Sequence, residues 1–368
     1  MPLAPGPQTS PARPAVKPIT RTPRPGHRAS TLAVASSGTR AARDGNDEEA
    51  NRGVRVSASG SGAGPGPAVP RPARLDVGVV SAGRVGAVMG AALAGAGHTV
   101  VATSAVSRAS RARAEALLPS AEILPPDEVV RRADLALLAV PDDVLPGLVR
   151  GLAASGCLRP GQILVHTCGA HGVGVLAPAA EHDVLPIALH PAMTVTGRAE
   201  DVARLAGACV GVTAGESGTE DGEAAWLVGE ALVVEIGAEP VRIPEDLRPL
   251  YHAALAHGAN HLITLVREAA DLLTNAGIEP AERVLAPLLS AALDNALRHG
   301  DRALTGPVVR GDAGTVATHV RHLDRRAPAS AELYRALARR TAERALDSGL
   351  IGPEDSQNIA HALERPTP

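Results

Sequence analysis

GVVSAGRVGAVMG, residues 78–90, stands between an apolar run at 75–80 and an amphipathic stretch at 84–96. A glycine-rich turn that carries a strand into a helix gathers free backbone N–H groups and the positive pole of the helix at one point, which suits a phosphate. Gly83 is spaced to let the backbone approach a pyrophosphate, and Gly86 to let the helix pack on its strand. Gly78, Ser81, Gly83, Arg84, Val85 and Gly86 are therefore the expected cradle of a dinucleotide. Ser81 departs from the usual first glycine of the pattern and adds a Cβ at the tight turn.

Working outward, the next strand candidate, 99–103, is followed by Thr103-Ser104-Ala105-Val106-Ser107-Arg108, with no acidic residue to bind the 2′-hydroxyl of NAD. Ser104, Ser107 and Arg108 suit a 2′-phosphate, so NADP(H) is the expected cofactor. The competing reading makes Ser107 a helix cap and Arg108 a solvated face. Two later strand ends, LAVPD at 138–142 and HTCG at 166–169, fall on the carboxyl edge where open α/β sheets bind ligands. Val140, Pro141, His166 and Thr167 are expected to line the nicotinamide half.

The same alternation of short apolar runs and helical segments continues along the chain, with strands expected at 75–80, 99–103, 121–124, 135–140, 163–166, 184–189, 208–213 and 240–243. Beyond Pro244 the strands stop, and 245–276, 280–299, 312–326 and 329–348 read as helices. The expected fold class is an α/β dinucleotide-binding domain with a parallel sheet over 74–244, followed by an all-α domain over 245–350 for substrate and dimerisation. Residues 351–368 read as a C-terminal tail. Residues 1–73 hold 12 of the 31 prolines and 10 basic against 4 acidic side chains without hydrophobic periodicity, the composition of a disordered tail.

Composition excludes several classes of function. The chain beyond residue 73 keeps 26 basic and 35 acidic side chains, a net charge of −9 that argues against nucleic acid as partner. No run approaches the ~18 apolar residues of a membrane span. The 13 histidines show no metal-ligand spacing and the three cysteines, Cys157, Cys168 and Cys209, are far apart, so neither a metal nor a disulfide is expected and a cytoplasmic setting fits. Lys17 is the only lysine, so no lysine beyond the tail can act as an acid.

Three constellations outside the dinucleotide half could carry chemistry. HPAMTVTG at 190–197 follows an apolar strand, and its His190 is placed either to touch substrate or to serve as a structural hydrogen-bonding group. In YHAALAHGANHLIT, 251–264, His257, Asn260, His261 and Thr264 recur at helical spacing and form one polar face, suited to a cleft more than to bulk solvent. TGPVVRGDAGT at 305–315 holds Arg310, suited to a substrate carboxylate, and Asp312, placed equally to bind substrate or to cap a helix. The Ala- and Leu-rich face of 281–299 points to a homodimer through the helical domain.

With GVVSAGRVG, LLAVPDD, VHTCGAHG, ALHPAMTVTG, YHAALAHGANHL and LTGPVVRGDAGT in view, residues 75–350 resemble the ketopantoate reductase and pyrroline-carboxylate reductase group of NADP-dependent oxidoreductases. The nearest resemblance is to bacterial proteins that join a Rossmann-like domain to an all-helical domain of unknown function, 2520. That resemblance implies reduction of a small 2-oxo acid, with 2-dehydropantoate as the specific candidate. In related β-hydroxyacid dehydrogenases a Lys-x-x-Asn pair supplies the proton and orients substrate, and the matching positions here are His257 and Asn260. On this basis His257 is the expected general acid, with Asn260 and His261 polarising the carbonyl and Arg310 holding the carboxylate. The alternatives are an imine or pyrroline-carboxylate type reductase, a deazaflavin-dependent NADP reductase, and a catalytically silent NADP-binding sensor.

Overall fold

The computed structural model describes residues 74–215 and 219–364; the tail expected over 1–73 lies outside the described residues. Among the described residues eight strands form one sheet: β1 (Asp76–Val80), β2 (Thr99–Thr103), β3 (Glu122–Ile123), β4 (Leu135–Leu138), β5 (Ile163–His166), β6 (Leu185–Pro191), β7 (Cys209–Thr213) and β8 (Glu239–Arg242). Helices α1 (Arg84–Gly95), α2 (Arg108–Leu117), α3 (Pro126–Arg132), α4 (Leu145–Ala154), α5 (Ala177–Ala180), α6 (Ala199–Leu205) and α7 (Glu220–Glu235) lie between them. The central strands are apolar throughout because both faces are covered. Val79, Leu135, Leu137 and Ile187 enter one core, while Val80, Ala136, Leu138 and Leu164 enter the other.

The strand order is β3-β2-β1-β4-β5-β6-β7-β8. The chain leaves β1 in one direction to build β2 and β3, then returns past it to β4, so the order reverses between β1 and β4. A crevice for a ligand opens at such a reversal, outside the carboxyl ends of the strands. Gly78 belongs to this framework, since a Cβ there would lie 2.6 Å from the Val129 carbonyl oxygen and push α3 off the sheet.

The expectation of a parallel sheet needs one correction. β6 and β7 are antiparallel, with Pro191 opposite Val210. After β6 the loop at 192–198 folds over the start of α1, where Gly197, at φ +83°, packs on Arg84 and Arg113, and the chain re-enters the sheet from the edge at which β6 ends.

The helical half consists of α8 (Arg248–Leu255), α9 (His261–Asn275), α10 (Ala281–His299), α11 (Ala313–Arg326), α12 (Pro328–Asp347) and α13 (Pro353–Ala362). The long helix expected over 245–276 is broken by a wide π turn at Ala256–Asn260. The segment from 351 onward, expected as a tail, carries α13, whose Ile359 joins Leu363 in a core with Val316, Val320 and Ala342. Arg335 secures it by donating to the Leu363 carbonyl at 3.1 Å while pairing with Asp324 at 2.6 Å.

Candidate functional site

The fingerprint turn is built around Ser81, which adopts a left-handed φ of 77°. That conformation costs a residue with a Cβ about 1–2 kcal/mol. Ser104 holds it in place: its hydroxyl accepts the Ser81 N–H at 2.8 Å and its carbonyl accepts the Ala82 N–H at 2.7 Å. An added Cβ at Gly86 would overlap the Ser81 carbonyl oxygen, so glycine at 86 is what lets α1 start this close to β1. Helix α1 begins at Gly83 with no side chain capping it. Its first-turn N–H groups and positive pole are therefore open to the crevice, the arrangement that accepts a phosphate.

The crevice is a cavity of about 450 Å³. Ser81, Gly83, Arg84 and Val85 form one wall, the strand ends at 139–142 and 167–169 form the floor, and His190, Met193, Val195 and His252 form the far wall. A second cavity of about 380 Å³ shares His190, Pro191, Met193 and His252 with the first and continues along Leu255, Ala256, Ala259 and Asn260. The trough thus opens sideways into a smaller pocket, with two histidines at the junction.

Those histidines are placed by α8. The Tyr251 hydroxyl lies 3.0 Å from His190 Nδ1, and the His190 and His252 rings meet edge to face with centroids 5.8 Å apart. Glycine at 169 makes room for both, because a Cβ there would sit 2.5 Å from His252 Cδ2 and 2.9 Å from His190 Nε2. Beneath them Arg248, fully buried, donates to the carbonyls of His171 (2.7 Å), Gly211 (3.3 Å) and Cys168 (3.2 Å) and to the Thr213 hydroxyl (3.2 Å). Three residues earlier, Glu245 accepts the N–H groups of Val173 and Gly174 at 2.8 and 2.9 Å. The start of α8 is thereby tied to the loop after β5.

The electrostatics keep this wall neutral. Burial, followed by the charge of Arg248 and the neighbouring His252, lowers the His190 pKa to about 4 against the opposing pull of Asp142. Burial raises the Cys168 thiol well above its ordinary range, and Asp142 adds to the effect. Asp201 anchors the loop that supplies Met193 and Val195. Its buried carboxylate accepts from the Thr196 hydroxyl (2.8 Å) and from the N–H groups of Thr196 and Gly197 (2.7 and 2.8 Å). Burial alone would raise its pKa, yet these hydrogen bonds win and hold it at about 2.

Of the residues singled out in the sequence, Ser81, Gly83, Arg84, Val85, Val140, Pro141, Thr167 and His190 line the crevice, and Asn260 lines the adjoining pocket. Gly86 shapes the turn, and Ser104 supports it from behind. Ser107 caps α2, accepting from the Ser110 N–H at 3.0 Å, while Arg108 is exposed beside it. His166 lies under the floor, accepting the Cys168 N–H at Nδ1 and meeting the Gly172 carbonyl with Nε2 at 2.9 Å; burial lowers its pKa to about 4. His257 and His261 are exposed and face each other, Nδ1 to Nδ1, at 3.2 Å, and Thr264 is exposed on the same helix. Arg310 is exposed, and Asp312 caps α11 by accepting the Thr315 N–H at 3.0 Å. Among the described residues, none of these last five lines either cavity. Asp142 and Gly169, within the strand ends expected at the carboxyl edge, also line the crevice, and the contributors that sequence reasoning missed are Tyr251, His252 and Arg248.

Residues 63–191 match the model of the Rossmann-like domain, and residues 217–341 match the domain of unknown function DUF2520. The chain belongs to the proteins that join these two domains. No curated protein matches it. Among solved structures, a Bacteroides fragilis protein proposed to be an NADP oxidoreductase is 22% identical, with a TM-score of 0.59 over 73% of this chain and 98% of that one. The Myxococcus stipitatus imine reductase, a V8 variant in complex with NAD+, is 17% identical, with a TM-score of 0.53 over 79% and 99% of the two chains. The Aspergillus terreus reductive aminase in complex with NADPH and ethyl-5-oxohexanoate is 17% identical, with a TM-score of 0.54 over 78% and 99%. At these identities the likeness is one of fold. Among the described residues of the Rossmann-like/DUF2520 chain, no helix is long and apolar enough to cross a membrane.

Proposed function

We propose that this Rossmann-like/DUF2520 protein is an NADPH-dependent reductase of a small carbonyl compound, with a 2-oxo acid of the 2-dehydropantoate type as the specific substrate. The observation that carries the reading is the continuity of the phosphate cradle at Ser81–Gly86 with a side pocket whose junction is formed by His190 and His252. The residues fit the cofactor: α1 offers uncapped N–H groups, Gly83 leaves the approach clear, and Arg108 is exposed at the far end beside the serines of the β2–α2 turn. NADPH, when bound, supplies the hydride.

The chain's own task is to hold the carbonyl and deliver a proton. His190 and His252 stand where an oxygen in the side pocket would meet them, and Asn260 lines the outer end of that pocket. His252, on the wall of both cavities, is the better-placed proton donor within one chain. The polar face of His257, His261 and Thr264, together with Arg310 and Asp312, belongs to a second arrangement in which another copy of the chain brings it to a cleft. The exposed apolar residues of α10 support such a homodimer, since Leu288 and Leu297, on opposite flanks of the helix, are 63% and 80% exposed. Three free cysteines are consistent with action in the cytoplasm.

The test is NADPH oxidation across 2-dehydropantoate, other 2-oxo acids and cyclic imines, with His252→Ala and His257→Ala in parallel. Turnover of a 2-oxo acid that falls at least ~100-fold in His252→Ala supports the reading and its acid. Tight NADPH binding without oxidation of any of these compounds would sink it in favour of a sensor. Preference for the imines would favour chemistry like that named for the imine reductase and reductive aminase.

A further inference from the structure

His190 presents its two ring nitrogens to different surroundings. Nδ1 meets the Tyr251 hydroxyl at 3.0 Å, while Nε2 is directed at the space beside Gly169, on the wall of both cavities. Among the described residues neither the hydroxyl nor Nε2 has another hydrogen-bonding partner. A neutral imidazole carries one N–H. With the proton on Nδ1, that N–H donates to the Tyr251 oxygen, and both the hydroxyl hydrogen and the Nε2 lone pair go unpaired. With the proton on Nε2, the Tyr251 O–H donates to Nδ1, and the sole group left over is an N–H aimed into the cleft. Leaving polar groups unpaired in a partly buried place costs free energy, so the second arrangement is the one the contacts select.

The charged and titratable neighbours favour the neutral ring. From α8, Arg248, Tyr251 and His252 face it; Asp142 approaches from the end of β4, Cys168 from the end of β5, and Cys209 on β7 lies beside Tyr251. Asp142 alone pulls toward protonation of His190, and burial with the Arg248 charge overrides it.

We propose that Tyr251 is a positioning residue whose hydroxyl fixes His190 as the neutral Nε2–H tautomer, so that the cleft presents a hydrogen-bond donor to the carbonyl oxygen of the substrate. The tautomer rests on the contacts alone, whereas the identity of the oxygen rests on the reductase reading above. A donor at this position also sets the substrate class: a ketone oxygen accepts the hydrogen bond, and a protonated imine in its place meets N–H with N–H.

The experiment is 15N-detected NMR of the histidine-labelled, ligand-free full chain, with His190 assigned by the signal lost in His190→Gln. The expected spectrum shows the neutral Nε2–H tautomer from pH 8 down to about pH 5, and in Tyr251→Phe the signal moves to a mixture of tautomers. In turnover, Tyr251→Phe is expected to lower kcat with a carbonyl substrate about tenfold and to leave NADPH affinity within twofold. An Nδ1–H tautomer or an imidazolium at pH 7 in the parent chain overturns the proposal, and that measurement needs no variant to fold. An unchanged tautomer in Tyr251→Phe overturns the role of the hydroxyl. A loss confined to NADPH affinity assigns the N–H to the cofactor carboxamide and overturns its assignment to substrate. Failure to turn over any substrate leaves the tautomer result standing and counts against the reductase reading alone.

Discussion

The sheet half and the α9–α10 hairpin differ in how completely each buries itself. Val77, Val79, Leu138 and Leu164 on the strands are wholly buried, and both faces of the sheet are covered. Along α10, by contrast, Ala281 is the only fully buried residue, and Val284, Leu288, Leu293 and Leu297 face outward from a 19-residue helix. One half is closed on itself, while the other leaves apolar side chains exposed on two flanks of a single helix. The difference sets a phosphate-accepting turn held in a closed core against a helix whose apolar side chains lie open, the surface on which the proposed homodimer would form.

The comparison breaks most visibly at Gly86. A Gly86→Val chain places carbon onto the Ser81 carbonyl and within 2.8 Å of the Ala139 Cβ, both backed by the sheet core. The expected cost is about 3 kcal/mol of stability together with loss of NADPH binding. Retention of both in urea titration and fluorescence binding would show that the turn has slack. The hairpin responds in the opposite way. Leu288→Asp combined with Leu297→Asp is expected to leave NADPH binding intact and to weaken self-association at least ~100-fold, because a buried carboxylate at an interface is costly. An unchanged sedimentation profile at micromolar concentration would refute the homodimer.

Smaller effects test the loop at the seam. Asp201→Asn is expected to cost about 2 kcal/mol, since the Thr196 and Gly197 donors converge on one charged carboxylate oxygen and a neutral amide oxygen in its place accepts them more weakly. Acid should act on this region in two stages. His166 and His190, with pKa values lowered to about 4, bind protons more readily in the unfolded chain, so stability is complete above about pH 6.5 and declines as pH falls toward 4. Asp201, held at about 2, adds a further loss as pH falls from about 4 to 2, where the unfolded chain again binds the extra proton. Thermal unfolding between about pH 8 and 2 checks both stages, and a flat profile from about 7 to 4.5 would contradict the first.

What the sequence disclosed follows from the range of the forces involved. Strand positions were legible because a run such as LALL must be covered on both faces, and the fingerprint because Gly83 and Gly86 answer local steric demands. The reversal at β7 was hidden, since nothing in its apolar run records which edge the chain re-enters from. The helix period over 251–264 picked out His257, Asn260 and His261, but the π turn at Ala256–Asn260 and the burial of Arg248 decide which face meets the cleft. A buried arginine spells like a solvated one. His252 became visible only through Gly169 and Tyr251 only through Gly211, whose missing side chains leave the space those rings occupy.

The smallest expected effect falls on Ser81, the residue that departs from the dinucleotide pattern. Its left-handed φ favours glycine, so Ser81→Gly relieves about 1 kcal/mol of backbone strain. Glycine also frees the unfolded chain by about 0.5–1 kcal/mol, which offsets most of the gain. The Ser81 partner in the bond to the Ser104 hydroxyl is its backbone N–H, so the bond survives the change. Stability is thus expected to move by no more than about 0.5 kcal/mol, and NADPH affinity by less than about threefold. Ser104→Ala should do more than Ser81→Gly, because it removes the acceptor that holds the turn, leaving a partly buried N–H unpaired for about 1–2 kcal/mol. If Ser81→Gly instead tightened NADPH tenfold or more while Ser104→Ala changed nothing, the Ser81 side chain itself would be the obstruction, and the support given by Ser104 would have no part in shaping the cradle.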